Sequence, residues 1–374
     1  MQSFASKYLR NKTTALPAHR GLFEQIGLLA LGAAALMFSG VAVAQGQTSP
    51  WQQGAFVYTA DEHGSSISAI DLAAGRVSTV PIPISPHNVQ ITSDGKRLLA
   101  VGEPAADGHG HAHGGNAHGS DEAKGRLLIL ETADLGTKPV TEIIVGDHPA
   151  HVIVDQRGER AFVTNAGDNT VGVVDLAARK LIATISTGRY PHGLRMSPDE
   201  REVYVANVQD GTVSVIDADG LMELARIPVG STPVQVGFTP DGTKVYVSLR
   251  DENRVAVIDT NSRSLIGTIE VGRNPIQVYA TPDGRFVYVA NQGTDAEPAD
   301  TVSVIEVSSG KVVDTIRTGM GAHGVVLSSD GAWAFITNIV DGTVSAIDVA
   351  TGKVVAGFSV GRGPNGITYR PPQG

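Results

Sequence analysis

Apolar and polar residues alternate along most of the chain in short stretches, such as "TVSVID" (212–217) and "KVYVSL" (244–249). A period of two places the apolar side chains on one face of a β-strand. Clusters of proline, aspartate and glycine separate these stretches, as at Pro240-Asp241-Gly242, and such clusters favour tight turns. After residue 44, no long stretch has apolar residues at the spacing of an α-helix. The pattern therefore predicts an all-β fold of many short strands.

This pattern repeats with a period of 42 residues. A short segment, led by proline in six of seven cases, begins each unit: Pro86, Pro149, Pro191, Pro233, Pro275, Ala322 and Pro364. The spacing departs from 42 only through an insertion of 21 residues in the first unit and of 5 in the fifth. Each unit contains four predicted strands, a to d. Repeats of this kind stack around an axis, so we predict a seven-bladed β-propeller with four-stranded blades.

The two ends of the chain are predicted to share one blade. The C-terminal part supplies only a strand a, "NGITYR" (365–370). The N-terminal part supplies strands b, c and d, as "AFVYTA" (55–60), "SISAID" (66–71) and "RVSTVPI" (76–82). Together these strands complete a closing blade and leave no unpaired inner edge.

Three stretches carry a resemblance to a known family: "AFVTNAGDNTVGVVDL" (161–176), "VYVANVQDGTVSVIDA" (203–218) and "AFITNIVDGTVSAIDV" (334–349). They resemble the YVTN family of bacterial β-propeller repeats, named for Tyr-Val-Thr-Asn at the end of strand b. The resemblance implies the propeller fold. It does not select a function, because the family includes surface antigens, periplasmic binding proteins and relatives of lactonases.

Residues 1–44 have the composition of a secretory signal peptide. Basic residues precede an apolar run from Ile26 to Ala44, which closes with the small-x-small pattern Ala42-Val43-Ala44. We expect Sec-type export and cleavage, which leaves residues 45–374 as a propeller in the periplasm or outside the cell, without a membrane anchor. The alternative is an uncleaved anchor. The chain has no cysteine, which excludes disulfides and thiolate metal sites.

Histidines are concentrated at one predicted face of the ring. The insertion at about 104–124 contains His109, His111, His113 and His118. Further histidines lie at the starts of strands a, at His87, His151, His192 and His323, and His63 lies in the b–c loop of the closing blade. Because the d–a and b–c connections emerge on the same face of a propeller, we expect all of these side chains to lie at one mouth of the central channel.

Clustered imidazoles suit zinc, copper and nickel. The glycine-rich histidine run would bind metal weakly, because ordering it costs conformational entropy. Histidines on strand ends are better preorganised, and among them His323, His87 and His192 are the best candidates for a tight site; His151 lies one residue later in its unit. In the alternative interpretation, the insertion is a solvated spacer and the strand histidines only hydrogen bond to the backbone.

Residues 45–374 contain 25 basic and 37 acidic residues, a net charge of −12, which opposes nucleic-acid binding. The sequence lacks nucleophile-elbow, zinc-protease and dinucleotide motifs, so we predict no organic cofactor and favour a non-enzymatic role. The favoured function is a monomeric periplasmic metal-binding propeller, a metallochaperone or sequestration protein for zinc or copper, with a metal transporter or other envelope protein as partner. The alternatives are an envelope interaction scaffold and a lactonase-like hydrolase.

Overall fold

The computed structural model describes residues 49–105, 124–136 and 141–373. The predicted signal peptide and the histidines at 109, 111, 113 and 118 lie outside these residues. One compact unit spans Trp51–Gly374, and it consists of seven four-stranded antiparallel sheets. The predicted seven-bladed β-propeller is therefore confirmed. Within the described ranges, no helix is long and apolar enough to cross a membrane.

The closing blade and blade 1 come first along the chain. The closing blade contains β1 (Phe56–Asp61), β2 (Ser66–Asp71), β3 (Arg76–Pro81) and β28 (Pro364–Arg370). Blade 1 contains β4 (Ile84–Ile91), β5 (Arg97–Pro104), β6 (Arg126–Glu131) and β7 (Thr141–Ile144). Three short 3-10 helices lie at Glu62–Gly64, Thr132–Asp134 and Arg250–Glu252.

Blades 2 to 4 follow the regular repeat. Blade 2 contains β8 (Pro149–Val154), β9 (Arg160–Asn165), β10 (Thr170–Asp175) and β11 (Lys180–Ser186). Blade 3 contains β12 (Pro191–Met196), β13 (Glu202–Asn207), β14 (Thr212–Asp217) and β15 (Met222–Pro228). Blade 4 contains β16 (Pro233–Phe238), β17 (Lys244–Leu249), β18 (Arg254–Asp259) and β19 (Ser264–Glu270).

Blade 5 accommodates the insertion of five residues by lengthening its b–c hairpin. It contains β20 (Pro275–Ala280), β21 (Phe286–Gly293), β22 (Pro298–Glu306) and β23 (Lys311–Arg317). Blade 6 is regular, with β24 (Ala322–Leu327), β25 (Trp333–Asn338), β26 (Thr343–Asp348) and β27 (Lys353–Ser359).

The strands of one blade differ in burial because of their distance from the axis. Each strand a contacts the strands a of both neighbouring blades and so forms the inner wall of the ring. Strands b and c are almost wholly buried, as in β17, whereas the outermost strand d is largely exposed, as in β19. The hydrophobic core lies between blades: Tyr204 and Val213 of blade 3 pack with Val236 and Val247 of blade 4.

The recurring aspartates stabilise turns, as the sequence predicts. Asp241 Oδ1 accepts hydrogen bonds from Thr239 Oγ1 at 2.6 Å and from the Thr243 backbone N–H at 3.0 Å. Between these residues Gly242 adopts a φ of +71°, which favours glycine. At the c–d turn of blade 3, Asp217 Oδ1 accepts a hydrogen bond from the Gly220 N–H at 2.8 Å.

The closing blade joins the two ends of the described chain. β28 pairs antiparallel with β1, and Tyr58 lies opposite Thr368. β28 also contacts β4 of blade 1 and β24 of blade 6. The last strand therefore closes both a sheet and the ring, as predicted.

Both ends of the long insertion in blade 1 lie on the face where strands a begin. Before the insertion, the Ala105 N–H donates to Pro83 O at 2.9 Å, in the connection that leads to β4. After it, the Gly125 N–H donates to Gly146 O at 3.1 Å, in the connection that leads to β8. The described residues on the two sides of the insertion, Ala105 and Gly125, therefore both lie on this face.

Candidate metal centre

Three neighbouring inner strands bring three imidazoles together at the mouth of the channel. His87 lies on β4, His151 on β8 and His192 on β12, and β8 contacts the other two strands. His151 occupies a position one residue later in its unit, and each of the three strands has a register shift at its histidine. The ring of His151, on the middle strand, contacts both of the others.

The three rings form a compact group. The ring centroids lie 5.6 Å apart for His87 and His151, 5.1 Å for His87 and His192, and 4.9 Å for His151 and His192. One ring nitrogen from each residue lies within 4.8 Å of the other two. The Nε2 atoms of His87 and His192 are only 3.1 Å apart. This arrangement suits three ligands of one metal ion.

Glu62 and Asn365 hold the far side of His87. Glu62 Oε1 lies 3.4 Å from His87 Nδ1, and Asn365 Nδ2 donates to Glu62 Oε2 at 2.7 Å and lies 3.1 Å from His87 Nδ1. A carboxylate only accepts hydrogen bonds, so this contact fixes the orientation of the Asn365 amide. The His87 ring is therefore positioned by the closing blade, whose 3-10 helix carries Glu62 and whose β28 carries Asn365.

His192 and His151 are held by blade 4. The Nδ1 atom of His192 lies 3.1 Å from Val234 O. A carbonyl oxygen accepts, so Nδ1 carries the hydrogen and Nε2 presents a lone pair to His87. His151 Nδ1 lies 3.4 Å from Gln235 Nε2, and Gln235 Oε1 accepts a hydrogen bond from the Val236 N–H at 3.0 Å.

Two hydrogen placements on His87 are compatible with these contacts. In the first, Asn365 donates to Nδ1, and Nε2–H donates to the lone pair of His192. In the second, Nδ1–H donates to Glu62, and both Nε2 atoms present lone pairs that only a cation between them can satisfy. The second placement matches a histidine whose Nε2 binds metal and whose other N–H donates to a carboxylate.

Burial keeps the inner histidines neutral. His151 is 3% exposed and His192 is 5% exposed. Burial lowers the pKa of each well below 6.5, and the neighbouring histidines lower it further. Burial alone would raise the pKa of Glu62, but the neighbouring His87, with Asn365 and His63, lowers it to about 2. The site thus combines two neutral imidazoles, those of His151 and His192, with an ionised carboxylate, and metal binding requires both of these protonation states.

The remaining histidine candidates lie outside this group of three. His323 begins β24 and is buried, and its Nδ1 has no hydrogen-bond partner in the described part of the protein. Burial and the charge of His87 lower the pKa of His323 to about 4, although Glu62 opposes this shift. His63 is exposed on the 3-10 helix Glu62–Gly64. The group of three therefore contains His151, which the sequence ranked below His323.

Sequence reasoning also missed Glu62, although it lies directly before His63, which the sequence analysis singled out. The Asp61 carboxylate is buried and accepts hydrogen bonds from Thr59 Oγ1 at 2.7 Å and from Ser68 Oγ at 2.6 Å. Asp61 therefore stabilises the turn, whereas the next residue, Glu62, contacts His87. The only available signal was topological, since the loop of the closing blade lies beside the start of β4.

A second group of candidate ligands flanks the insertion. Glu103 lies in β5, and Asp147 and His148 lie in the connection that leads to β8. Their ligand atoms lie within 4.8 Å of one another, and His148 Nδ1 contacts the Glu103 carboxylate. This group is partly exposed and lies on the same face as the three histidines.

The exposed arginines on this face are engaged with neighbouring groups. Arg189 pairs with Asp210 at 2.5 Å, Arg273 pairs with Glu297 at 2.6 Å, and Arg362 Nη2 donates to His63 O at 2.9 Å. The described contacts of these three arginines are thus with residues of adjacent loops.

Comparison with known proteins supports the fold. A model described as "YNCE-like beta-propeller" matches residues 219–370, and one described as "Cytochrome D1 heme domain" matches residues 116–279. Each match covers less than half of the chain, and together they agree with the repeat resemblance. No curated protein matches the sequence.

Solved structures with a similar fold come from several bacteria. The hydrazine synthase of Kuenenia stuttgartiensis is 21% identical, with a TM-score of 0.63 over 76% of this chain and 95% of that chain. A functionally unknown protein from Desulfotomaculum acetoxidans is 20% identical, with a TM-score of 0.69 over 85% and 99%. A protein from Bacteroides uniformis, provisionally assigned as a 6-phosphogluconolactonase, is 16% identical, with a TM-score of 0.66 over 84% and 99%. At these identities the similarity concerns the fold alone.

Proposed function

We propose that this protein is an exported metal-binding propeller, and that His87, His151 and His192 hold one zinc or copper ion at the channel mouth. The observation that carries the proposal is the convergence of three imidazoles from three strands, with two Nε2 atoms 3.1 Å apart. A tetrahedral zinc ion with Zn–N bonds of about 2.05 Å separates its ligand nitrogens by about 3.3 Å. The two rings are thus already near the spacing that a metal ion requires.

The composition of the site favours reversible binding. Three protein ligands leave a fourth coordination position open, which a partner ligand or water can occupy. Neither cysteine nor a carboxylate contributes to the group of three. A site that binds through neutral imidazoles alone does not neutralise the charge of the ion, so its affinity falls below that of a closed thiolate site. These properties suit a metallochaperone or sequestration protein.

The histidine-rich insertion supports the same role. Its described flanks lie on the face that carries the three histidines, and the Glu103, Asp147 and His148 group lies beside them. The insertion would collect metal weakly, and the preorganised site would hold it more tightly. A metal transporter or another envelope protein is the expected recipient.

His87 and His192 do not fit as the two axial ligands of one haem, although one of the matching family models is described as a haem domain. Two axial imidazoles bind a haem iron from opposite faces of the macrocycle. The Nε2 atoms of His87 and His192 lie 3.1 Å apart, which leaves no space for a macrocycle between them.

Calorimetric titration with zinc and with copper tests the proposal. The repeat itself supplies substitutions that the fold accepts at each position: His87→Asn and His192→Asn match Asn365, and His151→Gln matches Gln235. The wild type is expected to have a tight site with a Kd below about 1 μM, a binding free energy beyond about −8 kcal/mol. Each substitution should weaken this site at least tenfold.

Two controls separate the sites. His323→Asn should leave the tight site unchanged, and deletion of residues 108–119 should remove only weaker binding. The proposal fails if the triple variant His87→Asn, His151→Gln, His192→Asn retains the tight site while keeping the wild-type circular dichroism spectrum. A wild type that binds neither metal below millimolar concentrations would favour the interaction scaffold instead.

A further inference from the structure

Arg195 is a buried cation in the wall of the central channel. It lies on β12, three residues after His192, and is only partly accessible to solvent. Its Nη1 donates to Leu194 O at 3.2 Å, and its guanidinium carbon lies 5.7 Å from the centroid of the Tyr279 ring. Burial lowers the pKa of Arg195, which the nearby Tyr279 opposes.

The contact with Tyr279 places the guanidinium across the channel. Tyr279 lies on β20, two blades away from β12, with β16 of blade 4 between them. Arg195, Gly237 and Tyr279 occupy the same position in successive units, 42 residues apart. The glycine on the intervening strand provides no side chain at this level, so the arginine extends past it. The guanidinium therefore lies inside the ring, below the histidine layer.

This arginine has no carboxylate partner among the described residues, unlike others in the same blades. Arg160 pairs with Asp155 at 3.4 Å, and Arg226 pairs with Glu223 at 2.9 Å. The contacts of Arg195 with a carbonyl and an aromatic face use only part of its hydrogen-bonding capacity, because a guanidinium has five N–H donors. A desolvated cation without an anionic partner is costly.

We propose that Arg195 is the recognition group of an anion site in the channel, and that its ligand is a small free oxyanion such as a carboxylate or phosphate. A planar guanidinium binds two oxygens of such an anion through parallel hydrogen bonds. The bound anion would supply the charge that the protein itself does not provide.

The anion site is coupled to the histidines by charge. Arg195 lies three residues after His192 on the same strand, β12, a separation of about 10 Å along the strand, so its charge acts on the group of three histidines. If the proposed metal site is correct, the same charge opposes a divalent cation there, and an anion bound to Arg195 relieves this repulsion. Anion and metal should then each increase the affinity of the other by the same factor.

Calorimetric titration with acetate, sulfate and inorganic phosphate tests the anion site by itself, after the metal has been removed with a chelator and the chelator has been dialysed away into a non-coordinating buffer. The wild type should bind at least one of these anions with a Kd below 10 mM, a limit of about −2.7 kcal/mol. Arg195→Met should weaken this binding at least tenfold, and Arg195→Lys should weaken it less, because it retains the charge but loses the bidentate geometry. Arg157→Met, at an exposed arginine of blade 2, is the matched control and should bind as the wild type does.

The thermal transition provides a second readout. Arg195→Met removes an unpaired charge, so it should unfold at the same or a higher temperature than the wild type in anion-free buffer and gain no further stability from the anion. The proposal is overturned if Arg195→Met binds the anions as tightly as the wild type. It is also overturned if the wild type binds none of the anions at a concentration of about 50 mM. Zinc titration with and without the anion then measures the coupling. If the wild type binds the anion but does not bind zinc, the metal site is rejected and the anion site stands.

Discussion

His87 Nε2 and His192 Nε2 lie 3.1 Å apart although 105 residues separate them in the chain. The ring geometry produces this contact, because β4 and β12 are inner strands of blades separated by a single blade. The far side of each imidazole contacts a neighbouring blade: His87 contacts the closing blade, and His192 contacts blade 4. The site therefore depends on ring closure as well as on the ligands.

Glu62→Gln should weaken zinc binding by about tenfold to a hundredfold, the usual effect of removing a carboxylate that orients a metal-binding histidine. The glutamine keeps the size of the side chain but cannot supply the charge that favours Nδ1–H on His87. Calorimetric titration measures the effect, with Glu297→Gln in the b–c hairpin of blade 5 as the control. Equal affinities of Glu62→Gln and the wild type would remove Glu62 from the site.

The metal-free protein should lose stability as the pH falls from 6.5 towards 4. His323 has a pKa of about 4 in the folded protein against 6.5 for an ordinary histidine, so in this window the unfolded chain binds a proton that the folded protein does not. Stability then decreases with decreasing pH by up to about 1.4 kcal/mol per pH unit for each such histidine. His151 and His192 act in the same direction.

Thermal unfolding at pH 7.5 and pH 5.0, about one unit above and 1.5 units below the histidine pKa of about 6.5, measures this effect. His323→Asn should lose less stability between the two pH values than the wild type, since asparagine does not titrate. His63→Asn, at an exposed residue, is the control and should behave as the wild type. Parallel losses in all three proteins would contradict the assignment to His323. Glu62 contributes to stability at a lower pH, because its pKa of about 2 lies below the ordinary value of 4.5; its contribution is lost as the pH falls from 4.5 towards 2.

Removing the chain after Val360 should abolish cooperative folding. The truncation deletes β28, which pairs with β1 and contacts β4 and β24. Without it, the inner edge of the closing blade is unpaired, and exposed strand edges promote aggregation. The expected loss is comparable to the whole stability of a domain, about 5–15 kcal/mol. Circular dichroism melting tests this, and a truncated protein that melts like the full-length chain would disprove closure by β28.

The repeat predicted the ring but not the directions of its side chains. The spacing from Pro149 to Pro275 was sufficient to infer blades, their strand order and the face on which strands a begin. The grouping of His151 with His87 and His192, which leaves His323 outside, depends on the directions of these side chains. Each strand a that carries one of these histidines has a register shift at the histidine position, so the side chains there do not follow the simple alternation that a sequence pattern assumes. Glu62 escaped notice for a similar reason, because its role depends on a contact between the two ends of the chain.

The negative charge of residues 45–374 predicts negligible DNA binding at physiological salt. Non-specific DNA binding requires basic groups that replace the counterions of the phosphates. Fluorescence anisotropy with a labelled duplex at about 0.15 M salt should show no binding up to about 100 μM protein, the weak limit of ordinary non-specific affinities. Saturable binding at lower concentrations would contradict this prediction.

Zinc binding should move the ring hydrogen of His87 from Nε2 to Nδ1. In the metal-free protein, Asn365 Nδ2 lies 3.1 Å from His87 Nδ1, closer than Glu62 Oε1 at 3.4 Å, which favours a donor from Asn365 and a hydrogen on Nε2. Metal needs the Nε2 lone pair, so the hydrogen must then lie on Nδ1, where only Glu62 can accept it. Long-range ¹H–¹⁵N spectra of histidine-labelled protein distinguish the two tautomers. The signals of His323 should keep their tautomer on zinc addition. If His87 keeps its hydrogen on Nε2 in the zinc-saturated protein, His87 does not bind zinc through that atom and the three-histidine geometry is wrong.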